Sequence, residues 1–271
     1  MELRLASYAE RLPLPALAGA VRTVWVHQTG DEPYRQRHLP TGGLELHWPI
    51  GGPPRLLGPL TGAVVETIPV RTTILGIRFW PGAPPLVSIA LEELLDQDVP
   101  LTDLGLRWVD RVGEALVRAI TADEAVTALQ LGLVRELGPA LEPDQLLAVA
   151  VRRLMPWQPV EIDALAEQVG LSASQLRRRC RQSIGVSPKT LQRTLRLQGF
   201  LALAQAGSTA AGLAQLAVDV GYADQAHLSR ECLRLTGLTP SGLLGAELDR
   251  CQCGHDHVAS YQPFLARRPR G

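Results

Sequence analysis

The sequence has no net charge, with 27 Lys and Arg set against 27 Asp and Glu over 271 residues. That balance excludes a uniformly polycationic chain but not a local bias, which is all that attraction to phosphate requires. Cysteine is scarce at four residues, and no disulfide framework is expected in a reducing compartment. No nucleophile stands beside a matched base, and there is no phosphate-binding glycine loop and no convincing carboxylate pair. Gly42-Gly43 and Gly51-Gly52 read as turn glycines. Enzymatic chemistry is therefore not expected. Met1 to Ala20 carries Glu2, Arg4, Glu10, Arg11 and two prolines, which does not fit a secretory leader. Leu197 to Val218 is uncharged over 22 residues, yet three Gln, three Gly, Ser208 and Thr209 argue against a membrane span. A cytoplasmic protein with no membrane partner follows as the expectation. Its 46% apolar content is enough for two cores of ordinary size.

What the chain does contain is a pattern written twice in its last 120 or so residues. The first copy is Leu165, Ala166, Val169, Gly170, Leu171, Leu176, Cys180, Gly185, Val186, Ser187, Pro188. The second is Leu216, Ala217, Val220, Gly221, Tyr222, Leu228, Cys232, Gly237, Leu238, Thr239, Pro240. The offset is 51 up to the residue after the glycine and 52 beyond it, so one residue has been inserted in the turn. Each copy reads as a short helix, a glycine turn and a second helix stopped by glycine, the form of a helix-turn-helix. Ser172 and Asp224 are suited to cap the second helices. Leu176, Cys180 and Ile184, and in the other copy Leu228, Cys232 and Leu235, supply the core faces. The opposite faces carry Ser174, Arg177, Arg178 and Arg181 in the first copy, and Gln225, Ala226, Ser229, Arg230 and, to one side, His227 in the second. Arg can donate in bidentate fashion to guanine and Gln to adenine. Ser174, Arg177, Arg178, Gln225, Ala226, His227 and Arg230 are thus the candidate base readers.

Charge is distributed to match. From residue 144 onward there are 15 Lys and Arg against 10 Asp and Glu, and the first 143 residues hold 12 against 17. Ser172 to Val218 contains no acidic residue, and Arg181, Lys189, Arg193 and Arg196 are the candidate phosphate contacts. Pro188 to Ala206 reads as one helix of about 28 Å at 1.5 Å per residue, near the roughly 34 Å between successive major-groove faces. One chain can then present both reading helices to one side of a duplex, as a monomer or a homodimer, on an asymmetric site.

These residues resemble the paired DNA-binding motif of the AraC/XylS family of transcription regulators. The second copy carries the closest likeness, in Leu216-Ala217, Val220-Gly221-Tyr222, Asp224-Gln225, His227-Leu228-Ser229-Arg230 and Thr236-Gly237-Leu238-Thr239-Pro240. The resemblance implies a seven-helix domain, with Asp144 to Leu154 first and Thr239 to Leu248 near the last. It also implies duplex DNA as partner, with RNA polymerase as a further one. Members usually have Phe where Cys180 and Cys232 stand, so this core lacks two rings, and free Cys packs there as a small hydrophobe.

Ahead of that domain, Val21 to Gln28, Gly43 to Pro49, Ala63 to Pro69 and Thr72 to Trp80 read as strands between Gly and Pro turns. They are followed by helices over Leu104 to Ile120 and Ala122 to Leu137. The fold class expected is α+β: a small β-barrel or sandwich with helices, followed by an all-α domain with two helix-turn-helix motifs on a linker helix. The boundaries fall at 1–140 for a sensor or dimerisation domain, 144–250 for the DNA-binding domain and 251–271 for a tail. Gly76-Ile77-Arg78-Phe79-Trp80-Pro81-Gly82 is similar to a segment in sensor domains of some AraC-type regulators, where a cupin-like barrel commonly binds a small effector or pairs subunits. Trp25, His27, Glu45, His47, Trp48, Arg78 and Trp80 are the candidates to line such a pocket. The alternatives are ordinary surface positions, or an Arg that ties strands together. The helices over Leu104 to Leu137 could equally pair subunits.

The tail alternates Cys251, Cys253, His255 and His257, a chemically acceptable tetrahedral zinc set. It lacks finger spacing, and the plain alternative is an exposed polar segment. No other cofactor is expected. The leading reading is a DNA-binding transcription regulator modulated at its first domain. The alternatives are a metal-responsive regulator using the tail, and a DNA-repair enzyme that uses the motif for targeting and a cysteine as methyl acceptor.

Overall fold

The computed structural model describes residues 6–83, 87–137, 144–158, 160–208, 212–248 and 258–268. Its amino-terminal part holds β1 (Ser7–Arg11), β2 (Val21–Gln28), β3 (Tyr34–His38), β4 (Glu45–Pro49), β5 (Arg55–Leu57), β6 (Val64–Ile68), β7 (Thr73–Phe79) and β8 (Asp98–Pro100). Among the described residues these form a six-stranded antiparallel sheet in the order β1-β2-β7-β4-β5-β8 and a separate β3-β6 pair. The strands stack as two sheets and do not close into a barrel.

Strand alternation sorts chemistry between the two faces of the large sheet. Val24 and Val26 of β2, Leu46 and Trp48 of β4, and Leu75, Ile77 and Phe79 of β7 enter one apolar core. The helices α1 (Arg107–Val117) and α2 (Ala122–Leu137) cover that core with Val112, Leu116, Val126, Leu129 and Leu133. Trp25, His27, Glu45, His47 and Arg78 point the other way, toward the β3-β6 pair. Trp25 packs there with Ile68 and Ile74, and the His27 and Tyr34 rings lie 4.5 Å apart edge to face. Gly76 is what lets Trp25 lie flat across β7, since a Cβ there would sit 1.8 Å from the indole Cε2.

The carboxy-terminal part runs α3 (Gln145–Arg153), α4 (Ile162–Gln168), α5 (Ala173–Ile184), α6 (Pro188–Gln205), α7 (Gly212–Asp219), α8 (Gln225–Thr236), α9 (Pro240–Leu248) and α10 (Val258–Leu265). From α3 to α9 these are the seven helices that the resemblance implies. The expected linker is one continuous helix, α6, which starts with Pro188 behind the Ser187 cap. Leu191, Leu195 and Ala202 of α6 enter a core with α3, α4 and α5. Leu197, Phe200, Leu201 and Leu203 enter a second core with α7, α8 and α9. The bridge is therefore packed on both ends, and the two helix-turn-helix units share it. Among the described residues no helix is long and apolar enough to cross a membrane.

The last described segment, α10, packs against α6, β1 and β2. Phe264 is fully buried, Trp80 stacks on it at 6.4 Å, and Arg267 lies 3.6 Å over the Trp80 ring. Cys251, Cys253, His255 and His257 lie outside the described residues.

The two parts are joined along the helices that matter most. A Cβ on Gly185, at the end of α5, would meet the Leu91 carbonyl and the Pro59 ring at 2.7 Å each. Arg37 Nη1 donates to the Thr236 carbonyl at the end of α8, at 3.0 Å. Between them Arg22 Nη1 donates to Gln198 Oε1 of α6 at 3.0 Å, and Gln198 Nε2 donates to the Pro40 carbonyl at 2.8 Å. A cation at a helix carboxy terminus also complements the dipole.

Candidate nucleic-acid interface and interdomain cluster

Both second helices begin and end as the sequence dictates. Ser172 Oγ accepts from the Gln175 amide at 3.2 Å while Gln175 Oε1 accepts from the Ser172 amide at 2.8 Å, a complete capping box. Asp224 Oδ1 accepts from the His227 amide at 2.6 Å. Gly185 and Gly237 close the helices in the left-handed conformation, at φ 88° and 73°. Leu176, Cys180, Ile184, Leu228, Cys232 and Leu235 are buried. Burial pushes both thiols up to about 12, with a nearby carboxylate adding to it, so they are protonated core groups and poor methyl acceptors.

The outward faces carry Ser174, Arg177, Arg178 and Arg181 on α5, and Gln225, Ala226 and Arg230 on α8, all exposed. Among the described residues none of these arginines is paired with a carboxylate. Lys189 is exposed at the start of α6, and Arg196 is half-buried. Two of the candidate contacts have partners within the fold. Arg193 forms a bidentate pair with Glu231 of α8, at 2.6 and 2.8 Å, and so ties α6 to α8. Glu231 is correspondingly held below the usual carboxylate range by that hydrogen bond. His227 packs edge-on against Tyr222 at 5.1 Å, and its Nδ1 accepts from the Ala223 amide at 3.3 Å. Arg179, beside the readers, pairs with Asp144 at the start of α3 at 2.5 Å.

The candidate pocket residues divide. Trp25, His27, Glu45, His47 and Arg78 converge between the two sheets: Trp25 lies 5.1 Å from the His47 ring and Arg78 lies over Trp25 at 5.8 Å. Trp48 faces the opposite core beside Trp108, and Trp80, just beyond β7 where alternation ends, enters the helical core. Arg78 donates to Glu10, to Glu45 at 3.3 Å, to Tyr8 at 3.1 Å and to Ser260 of α10 at 2.8 Å. It is a tie between strands and the last helix. Burial works against its charge, but Tyr8, Glu45 and Glu10 outweigh that and its pKa is raised. Burial alone would raise Glu45, whereas the Arg78 charge and the His47 hydrogen bond bring it down to about 2. His47 is lowered by burial despite Glu45.

Beside this cluster lies a polar cavity of about 50 Å³ where both parts of the chain meet. Arg22, Arg37, His38, Glu45, Gln198 and Tyr261 are among the residues on its wall. Arg22 is 3% exposed, its Nε has no hydrogen-bond partner among the described residues, and burial followed by the Arg78 charge lowers its pKa. Sequence reasoning missed Arg22, Arg37 and His38. β3 reads Tyr-Arg-Gln-Arg-His, with no apolar alternation to mark a strand, and Arg22 hides in a run of valines.

Two capped, glycine-stopped helices on a shared packed bridge, set behind a β-sheet domain, define a protein with a paired helix-turn-helix domain. Residues 165–245 match the family described as Helix-turn-helix domain, and residues 9–100 match the family described as Domain of unknown function (DUF6597). The HTH-type transcriptional regulator VirS of Mycobacterium tuberculosis is 35% identical over 89 residues, which is 33% of this chain and 25% of VirS. The chain thus spans about a quarter of the length of that relative. Apo ToxT from Vibrio cholerae superposes with a TM-score of 0.45 at 11% identity, covering 89% of this chain and 96% of ToxT. ToxT bound to an unsaturated fatty acid gives 0.41 at 10% identity, covering 90% and 95%. Through residues 165–245 the chain is thus similar to the helix-turn-helix part of an HTH-type transcriptional regulator.

Proposed function

We propose that this protein is a sequence-specific transcription regulator that reads duplex DNA with α5 and α8, and that its amino-terminal domain modulates the reading. The observation that supports it most is the pair of outward faces, Arg177, Arg178 and Arg181 on one helix and Gln225 and Arg230 on the other, held by one bridge. Helices placed with their amino-terminal residues in the major groove contact base edges through such side chains. Lys189 and Arg196 supply phosphate contacts beside them, and the bridge, 18 residues and so about 27 Å long, suits adjacent grooves on one side of the duplex.

Modulation acts through the contacts at the ends of α5 and α8. A small polar or anionic effector beside Arg22, or a protein partner that displaces Arg37, changes how the first domain holds the two helices. It acts by binding one arrangement better than the other. A cavity of about 50 Å³ holds a few waters or a small ion as it stands, so a larger effector must open it. A nuclease footprint on the upstream region of the protein's own gene, with and without cell extract, tests the proposal. The expected result is an asymmetric protected site about two helical turns long whose affinity shifts with the extract. Uniform protection without sequence preference contradicts it.

A further inference from the structure

We infer that His38, Glu45, His47 and Glu66 form a binding site for one divalent transition-metal ion between the two sheets. His38, Glu45 and His47 are each buried, and their ligand atoms lie within 4.8 Å of one another. Glu66 of β6 joins them through His38, with Nε2 and Oε2 3.1 Å apart, and the corresponding His47–Glu45 separation is 3.4 Å. In a tetrahedral shell with bonds near 2.1 Å, neighbouring ligand atoms stand about 3.4 Å apart. Both pairs are therefore close to the length of a tetrahedral edge; His38, Glu45 and His47 already stand within reach of one ion, and Glu66 joins as fourth ligand by turning toward it from His38.

The carboxylates are oriented for this. Arg78 Nε donates to Glu45 Oε1 at 3.3 Å, and Arg55 Nη1 donates to Glu66 Oε1 at 3.0 Å. Each arginine holds an outer oxygen and leaves Oε2 facing a histidine. Outer hydrogen bonds of this kind fix ligand orientation at metal sites. Two imidazoles with two carboxylates suit zinc or ferrous iron better than magnesium or calcium. The site opens on the interdomain cavity through His38 and Glu45. His38 directly follows Arg37, whose guanidinium holds the end of α8, so an ion would stiffen the strand that grips the second reading helix. This site is distinct from the Cys and His of the tail and does not depend on the regulator reading, because metal is measured directly.

The test uses the full chain with Cys251, Cys253, His255 and His257 changed to Ser, stripped with a chelator and titrated with zinc by calorimetry and elemental analysis. One equivalent of zinc is expected, with cobalt giving visible bands of nitrogen and oxygen coordination. His38→Gln and His47→Gln are expected to reduce zinc to below about a tenth of an equivalent, and Glu66→Gln to weaken it about 10-fold or more. Circular dichroism identifies folded variants; if His47→Gln unfolds, His38→Gln and Glu66→Gln carry the comparison. A folded, tail-substituted chain without zinc overturns the inference, as does zinc retained unchanged in the folded variants. In either case the four side chains are only a hydrogen-bonded tie between sheets.

Discussion

His27 is 1% exposed between the sheets, and burial holds its pKa down to about 4, with the charge of His38 acting in the same direction. In the unfolded chain its pKa is near 6.5. The unfolded state therefore takes up a proton first, and stability present above pH 6.5 is lost as pH falls toward 4. The loss is expected to be on the order of 3 kcal/mol. Glu45 and Glu66 act in a lower window. Both sit at about 2 in the fold, Glu66 chiefly through its hydrogen bond from His38 and Glu45 through Arg78 and His47 against burial, so their contribution falls only below about pH 4.3. Urea midpoints between pH 7 and 4 check this. His27→Gln should flatten the profile without levelling it, since His47 is also held low. An unchanged slope in His27→Gln would show that some other group drives the loss.

Local signals made the second domain readable element by element. The glycine repeat, the caps and the apolar faces each set one helix boundary, and α5, α6 and α8 end within a residue of where those signals place them. Ala122 to Leu137 is likewise helical from end to end. Strands were legible where they bury apolar residues, as in β2 and β7. They were not where pairing rests on the backbone and on polar contacts, as in β1, β3, β5 and β8. The same limit hid the second role of Gly185. The sequence identifies it as a helix stop, but only the packing reveals that it also admits the Leu91 carbonyl. Gly170 is also left-handed, at φ 70°, but a Cβ added to it would meet nothing within 4 Å. Gly170→Ala should cost about 1 to 2 kcal/mol from backbone strain alone. Gly185→Ala should cost clearly more, because a backbone contact must also move. Equal losses by denaturant titration would mean that the first domain does not press on α5.

Across the whole molecule, the contacts that join the domains come from residues far apart in the chain, such as Arg22 with Gln198 and Arg37 with Thr236. No periodicity could announce them. The same is true of α10, whose Phe264 and Ser260 meet Trp80 and Arg78 only after the fold has formed. The first domain therefore holds α5 and α8 by their carboxy-terminal ends and leaves their outward faces open. Binding selection on randomised duplexes tests that arrangement most directly, with the unaltered chain compared against Arg178→Ala, Arg230→Ala and Lys189→Ala. Arg178→Ala and Arg230→Ala should each cost about 1 to 3 kcal/mol and relax base preference at two separate places about one helical turn apart, while Lys189→Ala weakens all sequences alike. If both arginine variants lose affinity equally for every duplex, the two helices clamp phosphates and do not read bases.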